Sequence, residues 1–249
     1  MTMKRAIRVF QWVGIGALCL APWASAQSVT LTSPGNNVAD GVYVSPYYAT
    51  VNGATNTPIV CDDFADNSHL NMSWTGNIQS FSSLASSLAN TAWGAAPGVT
   101  FKTYEEAAWL TMTLLQQPSG SAGQVDYSYA VWAVFDPSGV ISWLKKYGDT
   151  ATCNAIFGTG NDCLSTNVTG GLLGGVPNSY ATGEFANVFI ITPMVGGTTC
   201  TAGSCPEQEF IEMVPEGGPA VAYSFLAGLC CFGGMFRPSR RKIGSISAA

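Results

Sequence analysis

Alternating apolar and polar residues mark four short segments in the first third of the chain. This pattern predicts β-strands over residues 28–32, 42–51, 57–62 and 72–81, because a period of two places successive side chains on opposite faces of a sheet. Asn52-Gly53 separates the second strand from the third, and this dipeptide is a strong hairpin signal. The first part of the chain is therefore predicted to be antiparallel β-structure.

The period then changes to that of a helix and later returns to that of a strand. Thr103 and Glu106 have the spacing of a capping box, which predicts a helix that begins at Thr103 and is stopped by Pro118. Two more helices are predicted over residues 124–135 and 138–147, and strands over residues 185–192 and 208–214.

This order of elements predicts a mainly β fold of the α+β class. We expect one exported domain over residues 27–213, an antiparallel β-sandwich with a helical insertion at about residues 103–157.

The N-terminus has the three parts of a secretory signal peptide. Lys4, Arg5 and Arg8 precede an apolar stretch at residues 13–20, and Ala24-Ser25-Ala26 follows it. We therefore predict export through the Sec translocon and removal of residues 1–26 by signal peptidase. A buried N-terminal helix is the alternative interpretation.

A second apolar run lies near the C-terminus, at residues 219–236. As an α-helix rising ~1.5 Å per residue it reaches about 27 Å, just enough to cross a bilayer. We predict a transmembrane helix in the inner membrane, followed by a cytoplasmic tail at residues 243–249, because basic residues stay on the cytoplasmic side. The basic cluster that follows the run is Arg237, Arg240, Arg241 and Lys242.

Once the two ends are set apart, the charge of the middle part changes the picture. Residues 27–218 hold three lysines and all fifteen acidic residues of the chain, a net charge of −12. Phosphate binding needs clustered Lys and Arg, so this balance excludes a nucleic-acid partner.

The cysteines fit an oxidising compartment. The simplest pairing in the exported part is two local disulfides, each closing a loop in a Gly-rich region, with Cys61 left over as a possible reactive thiol. An alternative pairing through Cys61 stays open, and the spacing is not that of a zinc site. The disulfide candidates are Cys153 with Cys163 and Cys200 with Cys205.

The C-terminal segment resembles the PEP-CTERM sorting signal of exported Gram-negative proteins, which joins a Val-Pro-Glu-Pro box to a transmembrane helix and a basic tail. Here the signal spans residues 214–242, and Gly217 stands where the usual box has its second proline. The resemblance implies recognition by an exosortase, an integral membrane transpeptidase thought to cut near the box. A plain tail anchor is the alternative. The box residues are Val214, Pro215, Glu216, Gly217 and Gly218.

The exported part is similar to a family of PEP-CTERM ectodomains, some of which resemble bacterial thioester domains. In those domains a Cys bonds to a Gln, and the strained thioester captures a nucleophile on a target surface. Cys61 matches the Cys slot, but the Gln slot is Ser128, which has no side-chain carbonyl; Gln124 lies one helical turn earlier. The matching blocks are residues 41–47, 60–64, 73–75, 104–110, 129–132 and 208–210.

Two further groups of residues could carry chemistry. Asp62, Asp63 and Asp66 place three carboxylates within five residues, a weak candidate for Ca²⁺, which prefers oxygen ligands; a solvated loop is the alternative. His69 is the chain's single histidine, and no nucleophile elbow surrounds it. No cofactor is expected.

We therefore expect a non-enzymatic protein that is anchored in the inner membrane as a precursor and then reaches the cell surface or the extracellular biofilm matrix, associated with exopolysaccharide. The alternative is an adhesin for glycan or protein, which exposed Trp74, Trp93 or Trp132 along a groove would favour. An enzyme would need His69 to meet a carboxylate or hydroxyl in a cleft.

Overall fold

The computed structural model describes residues 26–35, 37–159, 170–205 and 207–214. Residues 1–25 of the predicted signal peptide lie outside these ranges, as do Cys163, the predicted transmembrane run 219–236 and the basic cluster behind it. Within the described ranges, no helix combines the length and the apolar character needed to span a bilayer.

The elements follow the predicted order of strands, helices and strands. The strands are β1 (Ala26–Ser33), β2 (Val38–Ala39), β3 (Val42–Tyr43), β4 (Tyr47–Val51), β5 (Ala54–Cys61), β6 (Ser73–Ser80), β7 (Val188–Val195), β8 (Thr198–Thr199) and β9 (Phe210–Met213). The helices are α1 (Phe81–Ser87), α2 (Phe101–Leu115), α3 (Ala122–Phe135), α4 (Pro137–Tyr147), α5 (Thr150–Phe157) and α6 (Gly171–Gly174), with a short 3₁₀ turn at Leu88–Asn90.

The main sheet closes on itself, so the predicted sandwich is wrong and the fold is a six-stranded antiparallel barrel. Strands pair in the order β6-β1-β4-β5-β9-β7, and β6 pairs with β7 to complete the ring. The closing register runs from Gly76 opposite Pro193 to Ser80 opposite Phe189. Alternation along single strands is the same in a sandwich and a barrel; the pairing of β6 with β7, more than 100 residues apart in the chain, decides between them.

Aromatic side chains fill the barrel. The Phe210 ring lies 5.9 Å from the Tyr47 ring and 5.9 Å from the Trp74 ring, measured between centroids. These residues stand on β9, β4 and β6, and β9 is adjacent to neither of the other two strands. The rings therefore meet across the interior and hold opposite walls together.

The helices cover one side of the barrel. Helix α2 packs against β9, and α3 packs against β5 and against α2. Val60, Ile190 and Ile211 are fully buried although they alternate with the interior positions of their strands, so their side chains lie beneath the helices. The helical layer runs from α1 to α6 and is longer than the predicted insertion of about 103–157.

The capping prediction was off by one helical turn. Helix α2 begins at Phe101, and the reciprocal capping bonds join Thr100 and Thr103. Glu106 does not reach back to Thr103 and instead lies 3.9 Å from Lys102. The earlier start brings the Phe101 ring to 5.2 Å from that of Phe81.

The strand predictions hold in position, with one division. The predicted strand 42–51 is split into β3 and β4, with Ser45-Pro46 between them. Proline has no backbone N–H and interrupts a sheet ladder. At the end of α4, Gly148 takes the predicted C-terminal position with a left-handed φ of 73°.

The chain divides into two compact units, Met1–Met213 and Val214–Ala249. The second unit begins at the first residue of the predicted sorting signal. In the first unit, successive antiparallel pairings make β1 and β9 run in opposite directions along the barrel. Gln27 at the start of β1 and Met213 at the end of β9 therefore lie at the same end of the barrel.

Gly76 tests the packing of the barrel interior. A Cβ at this position would lie 3.0 Å from the Ile191 Cγ2 atom and 3.3 Å from the Val29 Cγ2 atom. We expect Gly76→Val to lower the free energy of unfolding by about 1–3 kcal/mol because the interior is overpacked. Urea unfolding measures the change, and Thr75→Val, on the exposed face of the same strand, should stay within about 0.5 kcal/mol. Equal stability of the two variants would contradict a filled barrel.

Candidate functional site

A network of buried carboxyl groups lies where the loop after β5 and the loop before β9 meet helix α2. Asp62, Asp63, Asp66 and Glu209 interact with one another, Glu207 beside them interacts with Ser68 and His69, and none of the five is more than 8% exposed. The segment after β5 and the segment before β9 meet because β5 and β9 are paired, with Cys61 opposite Phe210. The five residues are Asp62, Asp63, Asp66, Glu207 and Glu209.

Glu209 is the centre of the network. Its carboxylate accepts hydrogen bonds from the Tyr104 hydroxyl at 2.7 Å, from the backbone N–H of Ala92 at 2.7 Å, and from the Thr192 hydroxyl. Burial raises the pKa of Glu209, and these donors lower it. A fully buried carboxylate is tolerated only when such donors replace water.

Asp62 lies beside Glu209, and in the described part of the chain neither Asp62 oxygen has a hydrogen-bond partner. Burial, followed by the nearby Glu209 and Asp63 carboxyl groups, raises the pKa of Asp62 well above its usual range. Two ionised carboxylates repel, so Asp62 is the protonated partner.

Asp63 and Asp66 form a second pair of the same kind. The Asp66 Oδ2 atom accepts from the backbone N–H of Gly203 at 2.9 Å and of Cys205 at 3.4 Å, which gives Asp66 the donors that stabilise a charge. Burial and the hydrogen bond to Asp66 raise the pKa of Asp63 to about 8. At neutral pH Asp63 is therefore the neutral member of the pair.

The network does not form the calcium site considered from the sequence. Across the described ranges, no three His, Cys, Asp or Glu side chains converge as metal ligands. The predicted alternative, a solvated loop, is also wrong for these three residues because Asp62, Asp63 and Asp66 are buried. Asp62 and Asp63 carry protons, and Asp66 accepts backbone N–H groups, so these carboxyl groups need neither water nor a cation to compensate their charge.

His69 lies at the edge of this region and is exposed. Burial raises the pKa of Glu207, whereas the Ser68 hydroxyl, the backbone N–H of His69 and the nearby His69 side chain lower it. His69 forms no ion pair, since among the described residues Lys102–Glu106 is the single one. Ser68, its neighbour, accepts the backbone N–H of Gln208 at 2.9 Å. The arrangement fixes a loop rather than aligning a nucleophile with a base.

Cys61 and Ser128, the two slots of the thioester resemblance, meet at one residue. The Ser45 hydroxyl accepts the backbone N–H of Cys61 at 3.1 Å, and the Ser45 carbonyl accepts the Ser128 hydroxyl at 3.2 Å. Gln124 is engaged elsewhere, because its Oε1 atom accepts from Asn37 at 2.7 Å and from Gly120 at 2.9 Å. The fold thus brings the slots together, while the chain supplies no acyl group between them.

The Cys61 thiol is sealed and protonated. Its sulfur donates to the Asp63 carbonyl at 3.1 Å and is fully buried. Burial, followed by the nearby Asp63 and Asp62 carboxyl groups, raises the pKa of Cys61 well above its ordinary value. A thiol that cannot ionise is a poor nucleophile. The suggestion of a reactive Cys61 gains no support from this geometry.

The other cysteines differ in their state. Cys153 is disulfide-bonded; its predicted partner, Cys163, lies outside the described residues, and their pairing stays a prediction. Cys200 and Cys205 are unbonded thiols in the structure, and burial, followed by the neighbouring Cys200 thiol, raises the pKa of Cys205; a disulfide between them stays a prediction. Hydrogen bonds between Thr201 and Ser204, and from the Gly203 N–H to Asp66, also hold this loop.

The three tryptophans named for an adhesin do not line an open groove. Trp132 is 2% exposed, Trp74 stacks on Phe210, and Trp93 stacks on Phe135 with a centroid distance of 5.7 Å. All three belong to the core or pack against it. Exposed large apolar side chains occur elsewhere, at Val38, Tyr43, Leu70, Met72, Tyr147 and Val195.

The surface is less acidic than the net charge suggested. Besides these five carboxyl groups, Glu212 is also buried, and burial raises its pKa to about 7.

Sequence reasoning missed Glu209 as the central residue. The signal was present: Glu209 shares the alternation of β9 with Ile211, which places a carboxyl group on a face that carries buried apolar residues.

Comparison with known proteins gives no relative: no family model, no curated protein and no solved structure matches this chain.

The proton held by Asp63 predicts an unusual pH dependence. Unfolding lowers the pKa of Asp63 from about 8 towards its ordinary value of 3.8, so the unfolded chain releases a proton that the folded chain keeps. Stability should therefore fall as pH rises from about 4 to about 8, and Asp62 and Glu212 act with the same sign. Thermal unfolding across this window should show the highest Tm at the acidic end.

Asp63→Asn should flatten part of this slope, because an amide donates to Asp66 without titrating. Glu184→Gln, at an exposed loop carboxylate, should leave the slope unchanged. A Tm that rises from pH 4 to pH 8 in the unaltered protein would contradict the protonated pairs.

The state of Cys61 predicts a labelling order. In the native protein a maleimide should modify the half-buried Cys200 first, and Cys61 should react only after denaturation because its thiol is buried and protonated. Intact-mass spectrometry reads the modifications, and the unlabelled chain should show no loss of ammonia. A loss of ammonia that disappears on treatment with methylamine would reveal a thioester and overturn this assignment.

Proposed function

We propose that this chain is an exported, non-enzymatic protein of the cell surface or extracellular matrix. In this proposal an exosortase sorts it through its C-terminal signal, and it associates with exopolysaccharide. The observation that carries the proposal is the three-part order of the C-terminal sequence: the box at residues 214–218, the apolar run at 219–236 and the basic cluster from Arg237 to Lys242.

The boundaries of the folded part support this reading. The last barrel strand ends at Met213, one residue before the box, and β1 begins at Ala26, the residue after which signal peptidase would cut. Removal of both signals would leave the strands intact except for the first residue of β1. A sorting signal has to remain accessible to a membrane enzyme, and one attached after the final strand does not disturb the barrel.

The buried carboxyl groups support a non-enzymatic role. Catalytic acids and bases must reach a substrate, whereas Asp62, Asp63 and Glu209 are fully buried and lie beside one another or are hydrogen-bonded to core groups. His69 is exposed, outside any ion pair among the described residues. In this proposal the network stabilises the domain and does no chemistry.

An adhesin is the second candidate. Val38 and Tyr43 form an exposed cross-strand pair on the β2–β3 hairpin, at 63% and 51% exposure. Leu70, Met72 and Val195 are exposed on the rim at the same end of the barrel, opposite Gln27 and Met213. Apolar side chains grouped on one rim are typical of a contact surface.

Fractionation of the native host, with and without its exosortase, tests the proposal. We expect the protein at the cell surface or in the medium of the parent strain with a C-terminus inside or near residues 214–218, and retained in the inner membrane at full length in the deletion strain. Mass spectrometry of the C-terminal peptide measures the cut. The presence of residues 219–249 in the mature protein of both strains would contradict sorting.

A further inference from the structure

We propose that the side of the barrel away from the helices binds a neutral polysaccharide through an array of hydroxyl groups. This array, the hydroxyl face, consists of Ser28, Thr30, Thr32, Thr50, Ser73 and Thr75. The inference rests on the proposed export to the cell surface and names the partner class and the contact surface.

Strand alternation and register place five of these side chains together, and Thr32, at a register irregularity of β1, is linked to β4 by its hydrogen bond to the Tyr48 carbonyl. On β1 and β4 the alternate residues Val29, Leu31, Ala49 and Val51 are buried, so the intervening residues point outward. Thr30 stands opposite Thr50 on one side and Ser73 on the other, and Ser28 stands opposite Thr75. The Thr30 and Ser73 hydroxyl oxygens are 2.6 Å apart. All six side chains are exposed or half-buried.

The absence of charged residues on these strands limits the class of partner that can bind the hydroxyl face. Strands β1, β4, β5 and β6 contain no charged residue. The lysines of the exported part, Lys102, Lys145 and Lys146, stand on α2 and α4, in the helical layer. The strands of the hydroxyl face therefore offer no cation that could bind an anionic polysaccharide or a lipid headgroup.

The Ser and Thr side chains of the hydroxyl face also argue against a protein partner. The core of a protein–protein interface is enriched in aromatic residues, Met and Arg and depleted in Ser, which is the opposite of this surface. Hydroxyl groups both donate and accept hydrogen bonds, directly or through water, and so match the hydroxyls repeated along a sugar chain. Strands about 4.8 Å apart, with like-facing residues two positions apart, repeat the hydroxyls in two directions.

Tyr48 adds a ring at the border of this face. It is half-buried, it alternates with the buried Tyr47 and Ala49 on β4, and its carbonyl accepts the Thr32 hydroxyl at 3.0 Å. A sugar ring packs its C–H groups on an aromatic side chain, as other flat apolar groups do. The surface thus combines polar contacts with one apolar contact.

Affinity gel electrophoresis of the exported protein purified from its host tests the proposal. The probes are hydroxyethylcellulose and dextran, which are neutral, and alginate, which is anionic. We expect the neutral gels, at least one of the two, to retard the protein, and alginate not to. The triple variant Thr30→Val, Thr32→Val, Thr75→Val should lose about tenfold or more in affinity because three hydrogen-bonding groups are removed, and Tyr48→Ala several-fold.

Ser142→Glu, on the exposed surface of α4, is the matched control and should bind as the unaltered protein does. Valine retains the strand preference of threonine, and circular dichroism checks that each variant is folded. Ser28→Glu is a second way to disrupt the face and should also abolish retardation.

The proposal is overturned if neither neutral gel retards the protein, if alginate retards it equally, or if the triple variant and Ser28→Glu bind normally. Localisation is read separately by fractionation: a protein that stays inside the cell refutes export, whereas a surface protein without retardation refutes only the hydroxyl face.

Discussion

The arrangement of barrel and helices depends on the hydrogen bonds that the buried Glu209 carboxylate accepts. Its donors come from separate parts of the fold: Thr192 from β7, Tyr104 from α2 and the N–H of Ala92 from the segment between α1 and α2, while the Asp62 carboxyl group from the loop after β5 lies beside it. Apolar packing alone is non-directional, whereas this set of hydrogen bonds is satisfied in only one placement of α2 on the barrel. Removal of one donor would leave the buried carboxylate with one hydrogen bond fewer, at a cost of about 1–3 kcal/mol.

Burial of this charge determines the state of its neighbours. Asp62 and Asp63 keep their protons because each is paired with a carboxylate that already has backbone or hydroxyl donors. The same region also keeps the Cys61 thiol protonated. Titratable groups that resemble reactive residues in the sequence are therefore part of the packing, and the surface left for contact is the uncharged side of the barrel together with its open rim.

Much of the fold could be predicted from the sequence, because β1, β5, β6 and helices α3 and α4 depend on local periodicity and on stop signals such as Gly148. Barrel closure could not, because it depends on the pairing of β6 with β7 across the whole helical insertion. The acidic residues 62, 63 and 66 were found, but their burial was not, since a polar run after a strand is ordinarily a solvated loop. Burial follows from residues 207–209, which only the pairing of β5 with β9 brings beside them.

A double-mutant cycle between Glu209 and Tyr104 tests the central role of this carboxylate most directly. Urea unfolding of Glu209→Gln, Tyr104→Phe and the double variant gives the coupling free energy of the pair. A buried hydrogen bond to a charged group predicts a loss of about 3–5 kcal/mol for Glu209→Gln and a coupling of about 1.5–3 kcal/mol. Effects that add to within about 0.5 kcal/mol, or a Glu209→Gln variant as stable as the unaltered protein, would contradict the dependence of the fold on Glu209.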